Sequence, residues 1–231
     1  GERMLAVTAL SASYSARDRR EAEACVARFK LPHEFIETEE LANPSYRANN
    51  PDRCFFCKDE LFDRLDTLAA HRGFAAVAYG VNLDDQGDWR PGQRAAQQHQ
   101  VLAPLLDAGL SKADIRELAR RAEVPVWNRP ASACLSSRIA YGIEVTPERL
   151  KIIEQGEEAL RELGFRQLRV RYHEELARIE ISPDELPRAL SPEMAHKFVE
   201  IFKALGFKFV TLDLEGYRSG SLNTHLIQIH N

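Results

Sequence analysis

The sequence predicts an α/β protein: a parallel sheet flanked by helices in the front half, followed by a second, smaller α/β domain. Three observations carry this. Short, almost continuous apolar runs alternate with amphipathic helical patterns from Met4 to Trp127, as βαβ units with helices on both sheet faces require. From Thr146 onward the strand-like runs instead alternate apolar and polar residues with period two, the pattern of half-exposed strands. Between them lies Pro130–Gly142, opened by proline and closed by glycine, poor helix and poor strand, which reads as a loop carrying reactive groups. The expected domains are residues 1–142 and 146–231, with the boundary between Gly142 and Thr146.

Each element follows from local signals. Met4–Leu10 is an apolar run suited to a strand buried on both faces. Ser15 can cap a helix over Arg17–Phe29, where Ala22, Cys25, Val26 and Phe29 recur at helical spacing and make Cys25 a core thiol. His33–Thr38 reads as the second strand, and Lys58–His71 as a helix with Leu61, Phe62, Leu65 and Leu68 on one face. Ala75–Gly80 is a third buried strand, Arg90–His99 a helix and Val101–Leu105 a further short strand. Ser111 caps a helix over Lys112–Glu123, with Asp114 three residues on. Ligands of parallel sheets collect at the carboxyl ends of the strands, where three loaded loops fall: Asn49–Lys58, Gly80–Gly92 and Pro130–Gly142. In the back half, Thr146-Pro147-Glu148 is a helix start, and the helix runs to Leu163 before Gly164. Gln167–His173 and Leu176–Ile181 should pair as strands. A helix over Pro192–Leu205 and a strand at Phe209–Leu214 follow, then a polar loop, Tyr217–Asn223.

Composition narrows the function. The chain's 231 residues, 44% of them hydrophobic, can bury a real core without disulfide staples. A formal charge of −4 removes the global electrostatic case for nucleic acid or a membrane surface. No apolar run reaches bilayer length and no signal-peptide pattern opens the chain, so the expected location is cytoplasmic.

The chemistry concentrates in cysteines and arginines. Cys54 and Cys57 form a Cys-x-x-Cys, which can bind one metal or cluster edge or make a redox disulfide. Two thiolates cannot close a tetrahedral site, and Cys134 is the other loop cysteine available as a third ligand. Alternatively Cys134 acts alone, with Arg129 and Arg138 flanking it to favour a thiolate. Arg169 and Arg171 share a strand face, and with Arg138 and Arg218 they suit a phosphate or carboxylate, unless each is simply paired with an acid. Glu180 and Arg178 share a face as a structural pair. Trp89, between Asp88 and Arg90, suits stacking on a base or covering the core. His33, His71, His99 and His173 read as surface residues. No Ser/His/Asp arrangement, zinc finger or Walker motif is present.

Four motifs in order carry a resemblance: Asn49–Lys58 (NNPDRCFFCK), Gly80–Gly92 (GVNLDDQGDWRPG), Pro130–Ile139 (PASACLSSRI) and Asp213–Asn223 (DLEGYRSGSLN). Over nearly the whole chain, the sequence resembles the ATP-dependent sulfur transferases of the LarE family, which help make the nickel-pincer cofactor of lactate racemase. The resemblance implies a pyrophosphatase-loop ATPase fold of the adenine-nucleotide alpha-hydrolase type with a smaller α/β domain behind it. It implies adenylation of a carboxylate of pyridinium-3,5-biscarboxylic acid mononucleotide by ATP with Mg2+, then sulfur transfer to give a thiocarboxylate and AMP. In one branch of the family the cysteine of the Pro-Ala-Ser loop is sacrificed and becomes dehydroalanine. In another, three cysteines hold a [4Fe-4S] cluster whose open iron carries sulfide from a donor. Cys54, Cys57 and Cys134 match the second branch. Ser137, Arg138, Arg169, Arg171, Glu180 and Arg218 would then handle the substrate and its phosphate, and a homo-oligomer is expected.

Two departures stand beside the resemblance. The family's Ser-Gly-Gly-x-Asp-Ser phosphate loop, which precedes the strand beginning here at Met4, is not in the sequence, and the expectation is that the chain is a fragment. Ala140 stands where the family carries proline. The rival readings are a transfer-RNA thiolase or amidotransferase on the same fold, which would need a broad basic surface, and a cluster- or zinc-carrying scaffold without ATPase activity.

Overall fold

A computed structural model of the chain describes residues 3–86, 91–130 and 132–218. Asp88, Trp89 and Arg90, and Ser219–Asn223 of the last motif, lie outside the described residues. The chain divides into two compact units, Gly1–Arg47 with Asp52–Ala131, and Ala48–Pro51 with Ser132–Asn231. The change of unit thus falls inside the Pro130–Gly142 stretch, ahead of Cys134, where the sequence placed it after Gly142. The reason is that the loop's end is stitched into the back sheet: Ile139 bridges Tyr172, and the Ala140 N–H donates to the Tyr172 carbonyl at 3.1 Å.

The front unit is mixed α/β. Strands β1 (Ala6–Leu10) and β2 (His33–Glu37) pair in parallel, Ala6 opposite His33 and Leu10 opposite Glu37. Helix α1 (Ala16–Phe29) crosses between them, started by Ser15, whose side chain accepts from the Asp18 N–H, and ended at Lys30 in the left-handed region. Neither β1 nor Cys25 is as enclosed as the apolar pattern suggested; both are half-buried. Helix α2 (Arg53–Arg72) packs on α3 (Pro91–Gln98) around Phe62, Ala95 and Ala96. Helix α4 (Lys112–Arg121) opens on the capping box that Ser111 and Asp114 announced.

Two expected strands do not form. Ala75–Gly80 and Val101–Leu105 meet only in one parallel bridge, Ala78 to Leu102. Pro104 starts a helical turn, Pro104–Asp107, which removes the end of the second run from the sheet. A groove of about 410 Å³ lies between β1, the Ala76–Ala78 segment and the Leu65–Ala69 side of α2.

In the back unit, β3 (Leu168–His173) pairs antiparallel with β4 (Leu176–Ile181), and β4 pairs in parallel with β5 (Phe209–Leu212). Helices α5 (Pro147–Glu162) and α6 (Pro192–Ala204) pack with the sheet around Leu160, Phe165, Val170, Ile179 and Phe202. Thr146 and Ser191 cap these helices, with Pro at the first position of each. The helices close in tightly enough that a Cβ at Gly156 would stand 2.7 Å from the Phe202 ring. Among the described residues no helix is long and apolar enough to cross a membrane.

Candidate functional site

The two thiols of the Cys-x-x-Cys sit on a helix, not in the loop that the sequence suggested. Asp52 is the N-cap of α2, so Cys54 and Cys57 fall in its first turns, and residues three apart share one helix face. Neither is in a disulfide; Cys54 is exposed and Cys57 half-buried. The surroundings are tightly built: Arg94 lies 4.2 Å above the Phe55 ring, and a Cβ on Gly92 would stand 3.3 Å from the Cys54 carbonyl.

In the back unit, residues 132–142 include a 3₁₀ turn, Leu135–Arg138, with the half-buried Cys134 as its N-cap. The Cys134 carbonyl carries the turn. It accepts from the Ser137 N–H at 3.0 Å, the Ser137 hydroxyl at 2.7 Å and Arg138 Nη1 at 2.9 Å. Arg138 also donates to the Ala133 carbonyl and to Ser137 Oγ.

Arg138 is therefore not the open guanidinium expected from a substrate grip. It is 3% exposed and paired with the buried Glu157 of α5 through Nε–Oε1 at 2.9 Å and Nη2–Oε2 at 3.3 Å. A second clamp has the same logic. Glu180, fully buried, takes Arg171 in a fork of 3.0 and 2.9 Å, and Arg171 Nη1 reaches the Ser137 carbonyl at 3.0 Å. Arg178 completes the expected pair with Glu180 at 3.3 Å. Burial explains both assignments: a guanidinium out of water needs a carboxylate beside it, and these two have one each.

The other arginines differ. Arg169 stacks over the Tyr217 ring at 5.0 Å and donates to the Leu168 carbonyl. Burial, and next the nearby charge of Arg138, lower its pKa. Arg218 is exposed and pairs with Glu215 at 2.5 Å. Arg129 pairs with Asp18 and Glu21 of α1.

Of the histidines expected at the surface, His71 is exposed, while His33, His99 and His173 are half-buried. His99 bonds Asp66 at 2.7 Å and Asp59 at 3.3 Å. Burial, then Arg178 and Arg171, push the pKa of His173 down. Sequence reasoning missed Glu157, Tyr217 and Asn49. Asn49 is fully buried at φ 55°, and its amide donates to the carbonyls of Ala140, Ile143 and Ile139 at 2.8, 3.0 and 3.3 Å.

Donor chemistry is the test for a metal cluster. Three soft thiols that no disulfide ties up suit iron–sulfur or zinc ligation, and the Cys54–Cys57 pair shares a helix face. Among the described residues, no three or more His, Cys, Asp or Glu side chains are grouped to hold a metal ion.

Fold and site define a two-unit α/β protein whose back unit presents a thiol on a loop braced by buried arginine–glutamate pairs. No family model matches the chain. It is 36% identical over 189 residues to pyridinium-3,5-bisthiocarboxylic acid mononucleotide synthase of Lactiplantibacillus plantarum, a match covering 80% of this chain and 67% of that one. The chain belongs to that protein's family, the LarE family. It is also 42% identical over 223 residues to an uncharacterized Synechocystis protein, covering 96% of this chain and 83% of that protein. An uncharacterized Methanocaldococcus jannaschii protein is 35% identical over 171 residues, 74% of this chain and 66% of its own length.

Proposed function

We propose that the protein is an ATP-dependent sulfur transferase of the pyrophosphatase-loop type. It converts carboxylates of pyridinium-3,5-biscarboxylic acid mononucleotide to thiocarboxylates, a step toward the nickel-pincer cofactor of lactate racemase. The observation that carries this reading is the Cys134 turn. A free thiol is held on a braced backbone in the unit that also holds the desolvated Arg169, in a chain of the same family as a bisthiocarboxylate mononucleotide synthase.

The reaction balances in two steps. ATP adenylates the carboxylate with release of pyrophosphate, and Mg2+ screens the phosphates. Hydrosulfide then attacks the acyl carbon and AMP leaves, giving the thiocarboxylate. Residues 1–231 contain no Ser-Gly-Gly-x-Asp-Ser sequence, and the residues named here serve the acceptor and the sulfur. Arg169 meets the phosphate or carboxylate of the acceptor, and the Ser137 hydroxyl borders it. Arg138, Arg171 and Glu180 hold the loop, and Arg218 works from the exposed rim.

Cys54, Cys57 and Cys134 are the ligands in the cluster version. A [4Fe-4S] group held by these thiolates would supply iron to carry sulfide from an external donor. Anaerobic reconstitution should load about four irons per chain, and Cys57→Ala should abolish the colour. Unchanged iron binding in that variant would sink the cluster version. In the sacrificial version, the Cys134 thiolate displaces AMP, and loss of its α-proton with cleavage of Cβ–S leaves dehydroalanine. Intact mass after turnover separates the two, since only the second loses hydrogen sulfide from the chain. The sulfur-transfer reading itself fails if the full protein, given acceptor, MgATP and sulfide, exchanges no carboxylate oxygen for sulfur by mass.

A further inference from the structure

The inner face of α5 is apolar at Leu150, Ile153 and Leu160, yet it carries Glu157 at 2% exposure. Taking a carboxylate out of water is costly, so its partners deserve to be traced atom by atom. Oε1 accepts from Arg138 Nε at 2.9 Å and from the Val170 N–H at 3.3 Å. Oε2 accepts from Arg138 Nη2 at 3.3 Å and from Arg161 Nη2 at 2.8 Å. Burial pushes the Glu157 pKa up, but the Arg138 charge and hydrogen bond, with Arg169 and Arg161, outweigh it and hold it below the ordinary carboxylate value.

Fixing two edges of a planar guanidinium fixes the third. With Nε and Nη2 on the carboxylate, Arg138 Nη1 points at the carbonyls of Ala133 and Cys134 and at Ser137 Oγ. We infer that Glu157 is a positioning residue for Cys134: through Arg138 it sets the backbone on which the thiol is presented. The inference rests on the reading of Cys134 as the residue that handles sulfur. It concerns the thiol and not the transfer, so the two can fail separately.

The test is the alkylation rate of each cysteine in the reduced, chelator-treated protein, followed with iodoacetamide and peptide mass mapping, with far-UV circular dichroism as the check on folding. In Glu157→Gln the shape persists, but an amide group now faces the guanidinium. Cys134 should alkylate on the order of ten-fold faster, the effect of losing one charge-assisted hydrogen bond, while Cys54 and Cys57 keep their rates. Arg138→Lys keeps the charge and loses the fork, and should give the same selective effect, which keeps the test open if Glu157→Gln does not fold. The double variant should be no faster than the faster single, because both changes break one relay. Unchanged Cys134 rates in folded variants, equal acceleration at all the thiols, or independent multiplication of the two effects would each overturn the inference. Failed sulfur transfer with the selective thiol effect intact would count against the proposed function alone.

Discussion

Replacing Asn49 tests whether a short segment of the chain is held in the back unit by one side chain. Asn49 is fully buried, and its single amide group donates to three carbonyls of the Ile139–Ile143 turn at 2.8 to 3.3 Å. Its own carbonyl accepts from the Gly142 N–H at 3.2 Å. Asn49→Ala removes the side-chain bonds, and at about 1 kcal/mol net for each, the loss is roughly 2–4 kcal/mol. It also places an alanine at φ 55°, a left-handed conformation costing about 1 kcal/mol more for alanine than for glycine.

Asn49→Gly separates the contributions: it loses the same hydrogen bonds without the backbone penalty and should be about 1 kcal/mol less damaging than Asn49→Ala. Asn49→Asp retains the size but turns acceptor oxygens toward three carbonyls, so it should be at least as harmful as alanine. Urea titration followed by circular dichroism measures the differences, and native-state hydrogen exchange of the Gly142 amide localises them. The reasoning is refuted if Asn49→Ala lies within about 0.5 kcal/mol of the parent, the range of an ordinary surface change. It is also refuted if the Gly142 amide stays equally protected.

Other changes follow from the same geometry. A Cβ on Gly216 would stand 2.7 Å from the Ile181 carbonyl at φ 70°, so Gly216→Ala should cost about 2–4 kcal/mol, combining a backbone clash with strain. Gly92→Ala meets mainly the flexible Lys58 Cγ at 2.9 Å and should cost less, about 1 kcal/mol, in a thermal melt. The hydrogen bond to Asp66, offset in part by burial and helped by Asp59, raises the His99 pKa. A raised folded-state pKa stabilises below the unfolded value of about 6.5 and loses that stabilisation as pH climbs through the folded value. The melting-temperature advantage of the parent over His99→Gln should therefore be greatest near pH 6 and shrink at more alkaline pH; an advantage growing with pH would contradict the assignment.

What could be read from the sequence was what is encoded locally. Ser15, Ser111 and Thr146 announced their helices because a cap needs only its own turn. The back strands were legible because each buries one face, which forces period two. The start of α2 was misplaced although its signal was present: Asp52 stands before a run with Phe55, Phe56, Leu61 and Phe62, and the cysteines drew the boundary too late. Ala75–Gly80 was apolar enough to be a strand, but a strand is made by its neighbours, and here only Leu102 answers. The membership of Ala48–Pro51 in the back unit depends on bonds from Asn49 to residues some ninety positions away, which no window along the chain contains.

The arginines show how far such reading goes in a charged site. Sequence alone grouped Arg138, Arg169, Arg171 and Arg218 as one anion grip, because guanidiniums on neighbouring loops and strands look alike until their partners are known. Glu157 carried the missing information in its position: it falls seven residues after Leu150 and four after Ile153, on the apolar stripe of α5. A carboxylate at such a place must find a cation indoors, and Arg138 is that cation. Glu180 does the same for Arg171. Once those two charges are neutralised in place, the set divides by role. Two arginines brace the Cys134 turn through the carbonyls of Ala133, Cys134 and Ser137, and Arg218 answers Glu215 at the surface. Arg169 is set on the Tyr217 ring, and burial followed by the charge of Arg138 lowers its pKa.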